Sequence, residues 1–91
     1  MSVGLGLLRQ IIEESIPPSR LEEFGFSEDF LNRRERDVYN FVVDFYSNYG
    51  TLPEVDVTEN ETTVSFPDSL PSAPVRYWVD QLRNRWEHTT I

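Results

Sequence analysis

Apolar residues recur at helical spacing in three stretches of this 91-residue chain. In the clearest, Val38, Phe41, Val42, Phe45 and Tyr49 fall at offsets that line one face of an α-helix. Both ends of that helix are marked. Asn32 with Glu35 three residues on has the spacing of an N-cap and its reciprocal partner, Gly50 supplies a left-handed stop, and Pro53 prevents resumption. Leu5, Leu8 and Ile12, with Leu7 and Ile11 beside them, describe a first helix with a broader apolar face, closed by Pro17-Pro18 just after Ile16. Such a face needs cover on more than one side. A third stripe, Val75, Trp78, Val79, Leu82 and Trp86, comes after a connector framed by Pro67, Pro71 and Pro74, with Ser72 placed as its N-cap. By this spacing Phe41, Phe45 and Trp78 are core residues.

Between the first two stripes the pattern is of short turns. Ser19-Arg20-Leu21-Glu22 has capping-box spacing, and Gly25 limits the helix begun there to little more than a turn. Ser27 starts a second turn, where Glu28 and Asp29 suit the positive helix end and Phe26 is placed to staple to Leu31, before a break near Asn32. After Pro53 the period changes: Val55, Val57, Val64 and Phe66 alternate on either side of Thr58-Glu59-Asn60-Glu61, which predicts a β-hairpin. The chain therefore reads as one mainly α domain over residues 1–91, a small helical bundle of three main helices plus short helical turns, with a hairpin inserted at about residues 54–67.

Size and charge narrow the classes. A domain this small hides only ~60–65% of its unfolded surface, so its stability is modest. It has no cysteine, hence neither a disulfide frame nor a thiolate metal site. No apolar run approaches the ~20 residues of a membrane span, and the N-terminus lacks a signal-peptide pattern, so the expected location is the cytoplasm. Sixteen acids against eight bases give a net charge of −8, and every base is arginine. Charge is uneven: Asp37 through Ser72 carries seven acids and no base, whereas Arg33, Arg34 and Arg36 cluster at one helix start and Arg76, Arg83 and Arg85 on the last helix. These arginines either pair with carboxylates that neighbour them in sequence, such as Glu35, Asp37, Asp80 and Glu87, or face a partner. Phosphate binding by counterion release needs clustered cations, so tight autonomous DNA binding is not expected.

Three stretches together carry a resemblance. The run from Arg33 to Pro53, with its Tyr-x-Phe-Val-x-x-Phe-Tyr-x-x-Tyr-Gly-x-Leu-Pro pattern, resembles the second long helix in the N-terminal domain of DnaB-type hexameric replicative DNA helicases, particularly phage versions. Leu7 to Glu14 resembles that domain's opening helix, and Pro74 to Arg85 its later Pro-x-x-Tyr-x-x-x-x-Leu-x-x-Arg segment. The stretches cover about half of the chain, in the family's order. The resemblance implies a non-catalytic collar domain that contacts other subunits of the same protein and presents a surface to primase or a helicase loader. It also implies a further short helix after the Pro, where the alternation here predicts a hairpin. The family's inter-subunit helical hairpin lies beyond the globular part, so the chain reads as a fragment of a longer one, and as a monomer or weak dimer by itself.

No catalytic constellation emerges from the residues. An ATPase needs a glycine-rich loop ending in Lys-Ser or Lys-Thr, and this chain has no lysine. Gly4-Leu5-Gly6 is too short for a phosphate loop and reads as a fraying helix start. His88, the only histidine, stands near the C-terminus without neighbouring ligands, so no metal and no cofactor is expected. Glu13-Glu14, Glu22-Glu23 and Glu28-Asp29 are adjacent helical positions whose carboxylates diverge by about 100°.

The aromatics carry more information. Tryptophan and tyrosine beside arginine are the residue types that anchor protein interfaces, which makes Tyr77, Arg83, Arg85 and Trp86 the candidate partner-binding residues. The alternative for the same residues is a core edge capped by snorkelling arginines. Two rival functions stand beside the helicase collar. One is a free-standing acidic adaptor or inhibitor that binds a host protein; the other is a weak single-stranded nucleic-acid binder that stacks bases on Tyr77 and Trp86.

Overall fold

The computed structural model describes residues 3–66 and 73–89. Four α-helices succeed one another: α1 (Val3–Glu14), α2 (Arg33–Tyr49), α3 (Val55–Thr62) and α4 (Val75–Thr89), with 3₁₀ turns at Pro18–Phe24 and Glu28–Phe30 between the first two. The mainly helical bundle expected from the stripes is present. Ser72, expected as a cap, and Pro67 and Pro71, expected in the connector, lie outside the described residues.

Local chemistry sets most of the boundaries. Asn32 accepts from the Glu35 backbone N–H at 2.9 Å while the Glu35 carboxylate accepts from the Asn32 N–H at 2.9 Å, a complete capping box. Gly50 ends α2 at φ 72, returning its N–H to the Tyr46 carbonyl. Ser27 caps the second 3₁₀ turn by accepting from the Asp29 N–H at 3.3 Å. The first turn departs from the expected cap: Pro17 occupies the N-cap position with Pro18 just inside, and Ser19 does not cap. Proline's fixed φ starts that turn without a side-chain hydrogen bond. Helix α1 stops at Glu14, two residues short of Ile16, where Ser15 turns left-handed at φ 56.

The expected hairpin is absent, and residues Val55–Thr62 form α3 instead. Among the described residues there is no strand. The helix accommodates its threonines. Thr58 is fully buried, its hydroxyl donating to the Glu54 carbonyl at 3.0 Å, and the Thr62 hydroxyl donates to the Thr58 carbonyl at 2.7 Å. A threonine that bonds the carbonyl four residues back satisfies its polar atom and turns its methyl inward. Val55, Thr58 and Thr62 therefore make a helical face that a count of apolar residues does not reveal. Val64 and Phe66 are buried beyond the helix end, where Glu59 holds the Phe66 N–H at 2.7 Å.

The core forms where α1 lies chiefly on α4 while also touching α2 and α3. Leu7, Leu8, Ile11, Leu21, Val38, Val42, Val79 and Leu82 are each wholly buried. Glycine permits the closest approach. Gly6 lies beneath the Trp78 indole, so that a Cβ there would come within 2.9 Å of the ring. The Gly4–Gly6 segment is thus packed inside the bundle, which corrects its reading as a fraying start.

Candidate functional site

Arg85 on α4 points inward. Its Nη1 donates to Glu35 Oε2 at 3.0 Å and its Nη2 donates to Glu35 Oε1 at 2.5 Å and to the Phe30 carbonyl at 2.9 Å. This fork is the bidentate geometry that arginine makes and lysine cannot. Glu35 is 1% exposed and also accepts the Gly4 N–H at 3.0 Å and the Asn32 N–H. The carboxylate therefore joins the starts of α1 and α2 to α4, and Arg85 extends the link to the second 3₁₀ turn. The hydrogen bond to Glu35 raises the Arg85 pKa above its ordinary value, against the opposing effect of burial. A second buried polar link runs from the Trp78 indole N–H to Gln10 Oε1 at 2.5 Å, and Gln10 in turn donates to the Ala73 carbonyl at 2.6 Å. Among the described residues no buried side-chain polar atom lacks a partner.

The four expected partner-binding residues do not converge. Arg83 donates to the Gly25 carbonyl at 3.0 Å and lies 5.9 Å over the Phe30 ring, bracing the 3₁₀ turns against α4. Trp86 stands 5.2 Å from the same Phe30 ring and is 37% exposed, so Arg83 and Trp86 share one patch. Tyr77 is 48% exposed and meets Trp78 edge-on at 5.6 Å. Nine residues at about 100° each put Tyr77 and Trp86 on opposite sides of α4. They cannot form one stacking platform.

A different surface went unrecognised in the sequence. Phe41, Phe45 and Tyr49 form a ladder along α2, with ring centroids 6.0 and 4.6 Å apart, and with Val57 and Glu61 of α3 they line an open groove of about 300 Å³ bordered by Asp44 and Asn48. Phe41 and Phe45 are half-buried, which corrects their expected place in the core, and Tyr49 is 69% exposed. Trp78, the third residue of that expectation, is buried. Val38 and Val42 of the same stripe are wholly buried, whereas Phe41, Phe45 and Tyr49 border the groove that α2 leaves against Val57 and Glu61 of α3.

Among the described residues no group of three or more histidine, cysteine or carboxylate side chains is placed to hold a metal ion. His88 bonds the Asn84 carbonyl through Nδ1 at 2.6 Å. Among the described residues no helix is long and apolar enough to cross a membrane. Comparisons with protein-family models, curated proteins and solved structures returned no match.

Proposed function

We propose that this chain is a non-catalytic assembly and interaction domain, resembling the N-terminal collar of a DnaB-type replicative helicase, that contacts its own neighbours and a primase or helicase loader. The observation that carries this reading is α3. A short helix after Gly50-Thr51-Leu52-Pro53 is what the resemblance implies, and it stands where the local alternation favoured strands. The order of opening helix, long helix, short helix and Tyr-bearing last helix supports the reading. Exposed Tyr49, Val57, Tyr77 and Trp86 supply apolar contact area of the kind interfaces use.

A free-standing acidic adaptor would use the same surfaces. Sequence of the gene beyond Ile91, together with calorimetric titration of the chain against the primase and loader of its source, separates the two. Continuation into a phosphate-loop ATPase with binding to either protein is the expected result. A reading frame that stops, with no binding, overturns the collar assignment. The nucleic-acid alternative has lost support, because Arg85 is committed to Glu35 and Arg83 to the Gly25 carbonyl.

A further inference from the structure

We infer that the α2–α3 groove is the docking site for a basic amphipathic helix of a partner protein. The inference rests on reading the chain as an interaction domain, and it adds the partner's chemistry and the face it uses. The floor of the groove is apolar and aromatic, built by Phe41, Phe45, Tyr49 and Val57. Its polar lining includes two carboxylates, Asp44 of α2 and Glu61 of α3. Among the described residues neither carboxylate has an ion-pair partner, the ion pairs there being Arg9–Glu13, Arg20–Glu23 and Arg85–Glu35. No base occurs between Arg36 and Arg76, and the arginines at the start of α2, Arg33 and Arg34, line a separate pocket with Thr62 and Thr63.

An apolar floor with two unneutralised carboxylates selects its occupant. Apolar anchors at helical spacing fill the ladder, and flanking lysines or arginines meet the carboxylates, which is the helix-in-groove mode of recognition. At about 300 Å³ the groove lies at the bottom of the range for small-molecule pockets, about 300–1,000 Å³, and it is open along its length, as a helix face requires. A second copy of the chain is a poor occupant. With a net charge of −8, and acids on this very face, two copies would oppose like charges across the contact.

The test uses a labelled synthetic peptide of roughly 15 residues, long enough to form a helix on binding, with leucines at i, i+3, i+4 and i+7 and lysine or arginine elsewhere. Its control keeps the leucines and replaces every base by glutamate. Fluorescence anisotropy gives the affinity, and amide chemical shifts of the chain give the location. Binding of the basic peptide alone is expected, with shifts confined to α2 and α3, and Asp44→Arg should weaken it about tenfold through loss of charge complementarity. Tyr49→Ser, at an exposed position, should weaken it while leaving the urea midpoint unchanged. Equal binding of both peptides, shifts spread over the whole surface, no binding by either peptide, or self-association through the groove would each overturn the inference. Binding of primase or loader that survives Asp44→Arg and Tyr49→Ser would sink the groove as the docking face while leaving the collar assignment standing.

Discussion

Gly4 donates its amide to Glu35 Oε2 at 3.0 Å, and a Cβ on Gly4 would overlap that same carboxylate. In an exposed helix, glycine to alanine gains about 1 kcal/mol from propensity. Here the sign reverses, because the side chain that must give way is buried and held by four donors. Gly4→Ala should cost about 1–3 kcal/mol by overpacking, read as a lowered urea midpoint at unchanged slope.

The Glu35–Arg85 pair should behave as a unit. Arg85→Ala leaves Glu35 buried without its cation, which costs ~3–5 kcal/mol in a fully buried pair and belongs at the lower end here, since about a third of the Arg85 side chain meets solvent. Glu35→Ala, Arg85→Ala and the double variant form a cycle. The double variant should cost less than the two single changes added together, and strict additivity would show that the two groups do not depend on each other.

Trp78 couples to Gln10 by one hydrogen bond and to Gly6 by close packing. Trp78→Phe empties part of the core and orphans Gln10 Oε1, for an expected loss of about 2–4 kcal/mol. Tyr77→Ala, at the neighbouring exposed position, should change the unfolding free energy by less than about 0.5 kcal/mol. Equal costs at both sites would contradict the orientation of α4.

Tyr39 is the titrating group with a directional pH consequence. Burial first, then the charges of Glu28 and Glu22, raise its pKa above the usual 10.0. The folded state therefore holds the phenol proton more tightly than the unfolded chain. That contribution to stability is complete below pH 10.0 and is lost as pH rises through the higher folded value. Tyr39→Phe should flatten the alkaline limb of the stability curve, and the phenolate absorbance lost in that variant should be absorbance that develops above pH 10.0.

Much of this architecture was legible without coordinates because it depends on residues near one another along the chain. The stripes of α1, α2 and α4, the Asn32–Glu35 cap, the Gly50 stop and the Ser27 turn are all local, settled by side-chain periodicity and by hydrogen bonds spanning a few residues. What lay beyond reach depends on distance in space. Glu35 was recognised as a capping residue, but the Arg85 that meets it is fifty positions away, and no spacing rule joins them. Periodicity marked Phe41 and Phe45 as one face with Val38 and Val42, but only the way α3 packs beside α2 determines which of these residues are covered and which line a groove. Val55, Val57, Val64 and Phe66 alternate like strands about a turn, yet residues 55–62 fold as a helix in which Thr58, counted as a turn residue, is fully buried with its hydroxyl on the Glu54 carbonyl. The sequence by itself thus determined the helices and their apolar faces, through short-range sterics and hydrogen bonding. Tertiary packing decided which parts of those faces were covered, because burial depends on what arrives from elsewhere in the chain.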